Sequence, residues 1–108
     1  MEFKGTPAPW VTLPEECDRP YIRVRGTVLG GRYKVANVLT PNHEGVDPRE
    51  AKETRANAHL IAAAPELLDA LQKLLKYHDD FYGIEPDEDP DHPLSVAKAA
   101  IAKALGQQ

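Results

Sequence analysis

The run Arg55-Ala-Asn-Ala-His-Leu-Ile-Ala-Ala-Ala-Pro65, continuing as Glu66-Leu-Leu-Asp-Ala-Leu71, constrains the fold more than any other segment. Its apolar residues recur at three- and four-residue spacing, the pattern of a helix with one packed face. Proline removes a backbone donor and disfavours helix at the residue before it, so a break or kink is expected near Ala64. The first helix should start at Asp47-Pro48-Arg49-Glu50, with Asp as N-cap, Pro at the first position and Glu at the third, and run to about Ala63. The second has Pro65 in its first turn and a packed stripe of Leu67, Leu68, Leu71, Leu74 and Leu75.

Upstream, Tyr21 to Leu39 reads as a β-hairpin, with β-branched and aromatic residues on both arms and Gly30-Gly31 between them, where positive φ is cheap. With those glycines as the loop, Val28 faces Tyr33. Alternation then places Ile22, Val24, Val28, Tyr33, Val35 and Leu39 on one face, and Arg23, Arg25, Arg32 and Lys34 on the other. A short strand over Trp10 to Leu13 is fenced by Pro7, Pro9 and Pro14. The expected architecture is α+β in a single domain of 108 residues. An antiparallel hairpin or small sheet occupies residues 1–46, helices 47–78, an acidic loop 79–92 and a terminal helix 93–105. That last helix should bury Leu94, Val96, Ala97, Ala100, Ile101 and Leu105.

Charge is uneven: 6 of the 13 basic residues but only 5 of the 17 acidic ones precede Val46. A chain of net charge −4 is a poor duplex binder, because duplex affinity comes mainly from neutralised phosphates. Its cationic hairpin face could still hold a small anion, since arginine offers a planar fork matching phosphate oxygens. The other reading is a solvated outer face or a blunted edge strand. Cys17 stands alone, which excludes an internal disulfide framework and fits a reducing cytoplasm. No signal-peptide core and no run of ~18 apolar residues is found, so a soluble, intracellular protein without a membrane partner is expected.

Catalytic chemistry has few candidates. Ser95 is the only serine and Cys17 the only thiol, and neither stands in a nucleophile signature. No Walker loop or dinucleotide fingerprint is present, so neither an enzyme nor a cofactor is expected. Glu85, Asp87, Glu88, Asp89, Asp91 and His92 could offer oxygen ligands to a hard cation, but the spacing is not that of an EF-hand. A solvated loop is the preferred reading there, with no metal. His43, His59, His78 and His92 are scattered and read as surface or interface residues.

Two residues are not explained by packing alone. Trp10 is either a core or interface anchor or a stacking surface for a purine. Asn57 lies among alanines that permit close approach, and its amide pairs a donor with an acceptor, as an adenine edge does. Alternatively it caps the loop before the helix. The alanine run also invites helix packing between copies, hence a homo-oligomer.

Thr6-Pro-Ala-Pro-Trp10 together with Ala56-Asn-Ala-His-Leu-Ile-Ala-Ala-Ala-Pro-Glu-Leu-Leu-Asp-Ala-Leu71, about a fifth of the chain, resembles a widespread group of small phage and prophage proteins. Within it the chain is similar to the anti-Thoeris sponge proteins, which sequester a cyclic ADP-ribose isomer without cleaving it. The resemblance implies an N-terminal sheet before C-terminal helices and a ligand held between protomers, in the host bacterial cytoplasm. It would place Trp10 against the adenine, Asn57 in hydrogen bonds to the ligand and Arg23, Arg25 or Arg32 near the pyrophosphate. Some relatives hold cyclic trinucleotides through arginines on the C-terminal helices; here no arginine follows Arg55. Two other classes remain open. One is a phage inhibitor of a defence protein, anti-CRISPR-like, whose acidic segment mimics nucleic-acid charge. The other is a structural accessory phage protein.

Overall fold

The computed structural model describes residues 2–15, 21–28, 33–39, 48–83 and 89–107. Strands β1 (Trp10–Thr12), β2 (Tyr21–Gly26) and β3 (Tyr33–Leu39) form one antiparallel sheet in the order β1-β2-β3. Helices α1 (Pro48–Tyr82) and α2 (Pro93–Ala104) follow, completing an α+β arrangement. The chain divides into two compact units, 4–66 and 67–108 with the first three residues. Arg32, Cys17, the Gly30-Gly31 turn, the Asp47 cap and residues 84–88 of the acidic run lie outside the described residues. Among the described residues no helix is long and apolar enough to cross a membrane.

In the unit 4–66, β2 alternates as its sequence demands: Ile22, Val24 and Gly26 are buried, Tyr21, Arg23 and Arg25 half-buried. Among the described residues of the helix here, Thr54 and Ala58, one helical turn apart, are buried. Ala58 and Ile22 line one small cavity, and Arg55 Nε reaches both carboxylate oxygens of Glu15 at 3.1 Å, which sets this stretch of α1 against the sheet. The small side chains at 54 and 58 permit that approach.

The register of β3 departs from the expected hairpin. Tyr33 pairs with Gly26, not Val28, and Lys34 with Arg25; the ladder then slips, so that Val24 meets Ala36 and Val35 is the extra residue of a bulge. Beyond the bulge each side chain exchanges faces: Ala36 and Val38 join Val24 and Ile22, while Asn37 and Leu39 join Arg23 and Tyr21. Leu39, expected on the packed face, is therefore 74% exposed. Val28 lies beyond the strand and is also exposed.

The helix break expected at Ala64 does not occur, and α1 runs through Pro65 as a single helix of 35 residues. Proline removes one backbone hydrogen bond; the alanines and leucines around it have strong helix propensity, which offsets that loss. The helix also continues through Asp79–Tyr82, where a loop was the expectation. Pairs four residues apart hold this last stretch: Lys76 Nζ bonds Asp80 Oδ2 at 2.8 Å, the Tyr77 and Phe81 rings lie 4.5 Å apart and those of His78 and Tyr82 5.1 Å apart. Gly83, at φ +79°, then ends the helix, its N–H donating to the Asp79 carbonyl at 3.0 Å.

In the unit 67–107, Leu68, Leu71 and Leu75 are half-buried, as are Leu94, Ala97, Ile101 and Leu105 of the α2 segment. The expected stripe holds only in part, since Leu67, Leu74 and Val96 are more than half exposed, and Ala100 is exposed as well. Pro93 opens α2, and His92 caps it, with Nδ1 accepting from the Leu94 N–H at 3.1 Å.

Candidate functional site

The outer face of the sheet carries Arg23 and Arg25 of β2 with Lys34 of β3. Arg25 and Lys34 are direct cross-strand partners of like charge, an arrangement that costs stability unless an anion or an acceptor offsets it. Acceptors partly do so. The Arg25 guanidinium donates from Nη1 to the Val24 carbonyl at 3.1 Å, to the Ala36 carbonyl at 3.4 Å and to Asn37 Oδ1 at 3.4 Å. Arg23 Nη2 reaches the Pro14 carbonyl at 3.5 Å. Lys34 is exposed, so its ammonium faces water. The β1 residue opposite Arg25 is Val11, which is exposed and gives this face an apolar margin.

Trp10 belongs to the other face. It pairs with Gly26, and Thr12 with Val24, so both side chains share the side of Val24 and Ile22. The indole Nε1 donates to the Thr6 carbonyl at 3.0 Å, tying the strand to the segment before it. Thr27 extends the same edge, its N–H and Oγ1 donating to the Pro9 carbonyl at 3.2 and 3.0 Å. Within one chain the sheet thus separates the tryptophan from the two arginines. Asn57 is exposed on α1 beside buried Ala58. Its alternative role as a cap concerns residues 40–47, outside the described residues.

A cavity of about 190 Å³ opens on the inner side, lined by Thr12, Leu13, Pro14 and Ile22 with Arg55 and His59 among its polar groups. Sites for drug-sized ligands enclose ~300–1,000 Å³, so a nucleotide would need further walls. Arg55 is already engaged by Glu15, with both side chains about half exposed. The pairing of Arg55 with Glu15 spans 40 residues and leaves no local signal in the sequence.

A second cavity, about 410 Å³, lies in the unit 67–107, walled by Leu71, Leu75, Leu94 and Ala97 with Tyr82 and His78 at its margin. Its lining is largely apolar. Nearby, the hydrogen bond from Lys76 to Asp80 and that carboxylate's charge raise the lysine above its ordinary 10.5 and keep it cationic. Among the described residues no group of three or more His, Cys, Asp or Glu is placed to hold a metal ion.

No curated protein and no solved structure matches the chain. Residues 1–108 match the family model described as Salmonella phage P22 protein Y8K6.

Proposed function

Since the chain belongs over residues 1–108 to that phage protein family, we propose that it is a phage anti-defence protein that sequesters a cyclic nucleotide immune signal, of the cyclic ADP-ribose class, without cleaving it. The observation that carries this reading is the outer sheet face, where Arg23, Arg25 and Lys34 concentrate positive charge on a chain of net charge −4. A pyrophosphate would relieve the like-charge pair Arg25 and Lys34, and each charge-assisted bond it accepts contributes ~1.5–3 kcal/mol. Trp10 and Asn57 are the proposed adenine contacts, and Arg32 a further phosphate ligand. Because Trp10 and the arginines occupy opposite faces of one sheet, the ligand must be shared, with the indole of one copy and the guanidinium groups of another. A homo-oligomer in the host bacterial cytoplasm is therefore part of the reading, and nanomolar capture requires ~12 kcal/mol net of ordering costs.

Calorimetry with a panel of cyclic ADP-ribose isomers and cyclic oligonucleotides tests it, followed by heat release and mass spectrometry of the compound. Tight binding with the ligand recovered intact is the expected result, and Arg25→Ala should weaken it at least ~10-fold, the equivalent of one lost charged hydrogen bond. A changed mass would make the protein an enzyme. Absence of heat with every compound would overturn the reading in favour of a protein target.

A further inference from the structure

On the inner side of the sheet, within the unit 4–66, two hydrogen-bond donors of α1 converge on one cavity. Arg55 and His59 are one helical turn apart, and both line the cavity of about 190 Å³ that Thr12 and Ile22 of the sheet also line. A guanidinium, an imidazole and a hydroxyl thus meet there, while Leu13, Ile22 and Ala58 supply apolar surface. Among the described residues of the lining, Glu15 is the one acid.

That acid already holds the place of an anion. Each oxygen of the Glu15 carboxylate lies 3.1 Å from Arg55 Nε, so a single N–H is shared between two acceptors. The parallel pair of N–H donors with which arginine grips an oxyanion most strongly is not what Glu15 engages. Both side chains are about half exposed, so the ion pair is weak and the carboxylate can turn to water. An external oxyanion that takes the paired donors would displace it.

From this arrangement we infer that Arg55 and His59 form a binding site for a small phosphate monoester, with Glu15 as its internal competitor. A carboxylate ligand would spend both oxygens on the arginine, whereas a phosphate monoester keeps a third for His59 or Thr12. Volume limits the rest of the molecule. Sites for drug-sized ligands enclose ~300–1,000 Å³, so this cavity suits a phosphate bearing a compact organic group, whose carbon atoms would meet Leu13, Ile22 and Ala58. The site goes beyond the nucleotide reading above, since it lies on the opposite face of the sheet from Arg23 and Arg25 and shares no residue with that reading.

Nuclear magnetic resonance titration of the isotope-labelled full chain tests it, with inorganic phosphate, ribose 5-phosphate and acetate as probes at constant ionic strength. Saturable shifts at Arg55 and His59 are expected with both phosphates, strongest with ribose 5-phosphate and weakest with acetate. Arg55→Gln should weaken ribose 5-phosphate binding at least ~10-fold, the equivalent of one lost charged hydrogen bond. Glu15→Gln keeps the shape, removes the competing charge and should tighten binding ~5-fold, the scale of an exposed ion pair. A merely structural ion pair would give neither variant a gain. Thermal unfolding of each variant records any loss of fold, and the gain in Glu15→Gln is readable even where Arg55→Gln is destabilised. Arg25→Ala should leave these shifts unchanged, so failure of the nucleotide reading and failure of this site are seen apart. No saturable shift at Arg55 and His59 by ~10 mM phosphate, ten times a millimolar dissociation constant, would overturn the site. So would a Glu15→Gln variant that binds no tighter than its parent, and acetate binding as tightly as phosphate would overturn the choice of ligand.

Discussion

The bulge in β3 decides which hydrophobic residues matter for stability, and a pair of alanine substitutions tests it. Val24 is 0% exposed at the centre of the sheet, whereas Leu39 is 74% exposed beside Tyr21. A regular hairpin turning at Gly30-Gly31 would have buried both. Val24→Ala removes the equivalent of two methylene groups at ~0.8 kcal/mol each. The unfilled space adds a cavity term, bringing the loss to about 2–3 kcal/mol. At ~4–8 °C per kcal/mol for a domain of this size, Tm should fall by roughly 10–20 °C. Leu39→Ala removes a larger side chain but little buried surface, and should cost under ~0.5 kcal/mol. Urea denaturation followed by the fluorescence of Trp10, the only tryptophan, reports on the sheet that holds both residues. The expected result is a lowered midpoint at constant slope for Val24→Ala and an unchanged midpoint for Leu39→Ala. Equal losses in the two variants, or a larger one for Leu39→Ala, would refute the bulged register.

Two further substitutions address the helices. Pro65→Ala restores the missing donor inside α1 and should raise stability by about 1–3 kcal/mol, measured by thermal unfolding at 222 nm, since interior proline costs up to ~3 kcal/mol relative to alanine. His92→Ala removes the acceptor that caps α2 and should cost about 1 kcal/mol, read as faster amide exchange in the first turn of that helix, with Leu94 most affected.

The parts of the fold set by short-range periodicity were legible in the chain. Alternation alone assigned Ile22 and Val24 inward and Arg23 and Arg25 outward, and β2 follows it. The misreadings lie where a single local event changes phase over a distance. One extra residue at Val35 reverses every later position of β3, and nothing in the run Lys34 to Leu39 marks it, because valine, alanine and leucine are acceptable on either face. In α1, counting leucines as inward merged two faces: Leu68, Leu71 and Leu75 pack at least partly within the chain, while Leu67 and Leu74 keep the stricter seven-residue spacing and face outward. Proline at 65 signals a stop, but its neighbours are strong helix formers and the helix continues through it. For the candidate site, the residue types were visible but their sides were not. That Trp10 opposes the arginines follows only from its pairing with Gly26, a long-range register that no local pattern encodes.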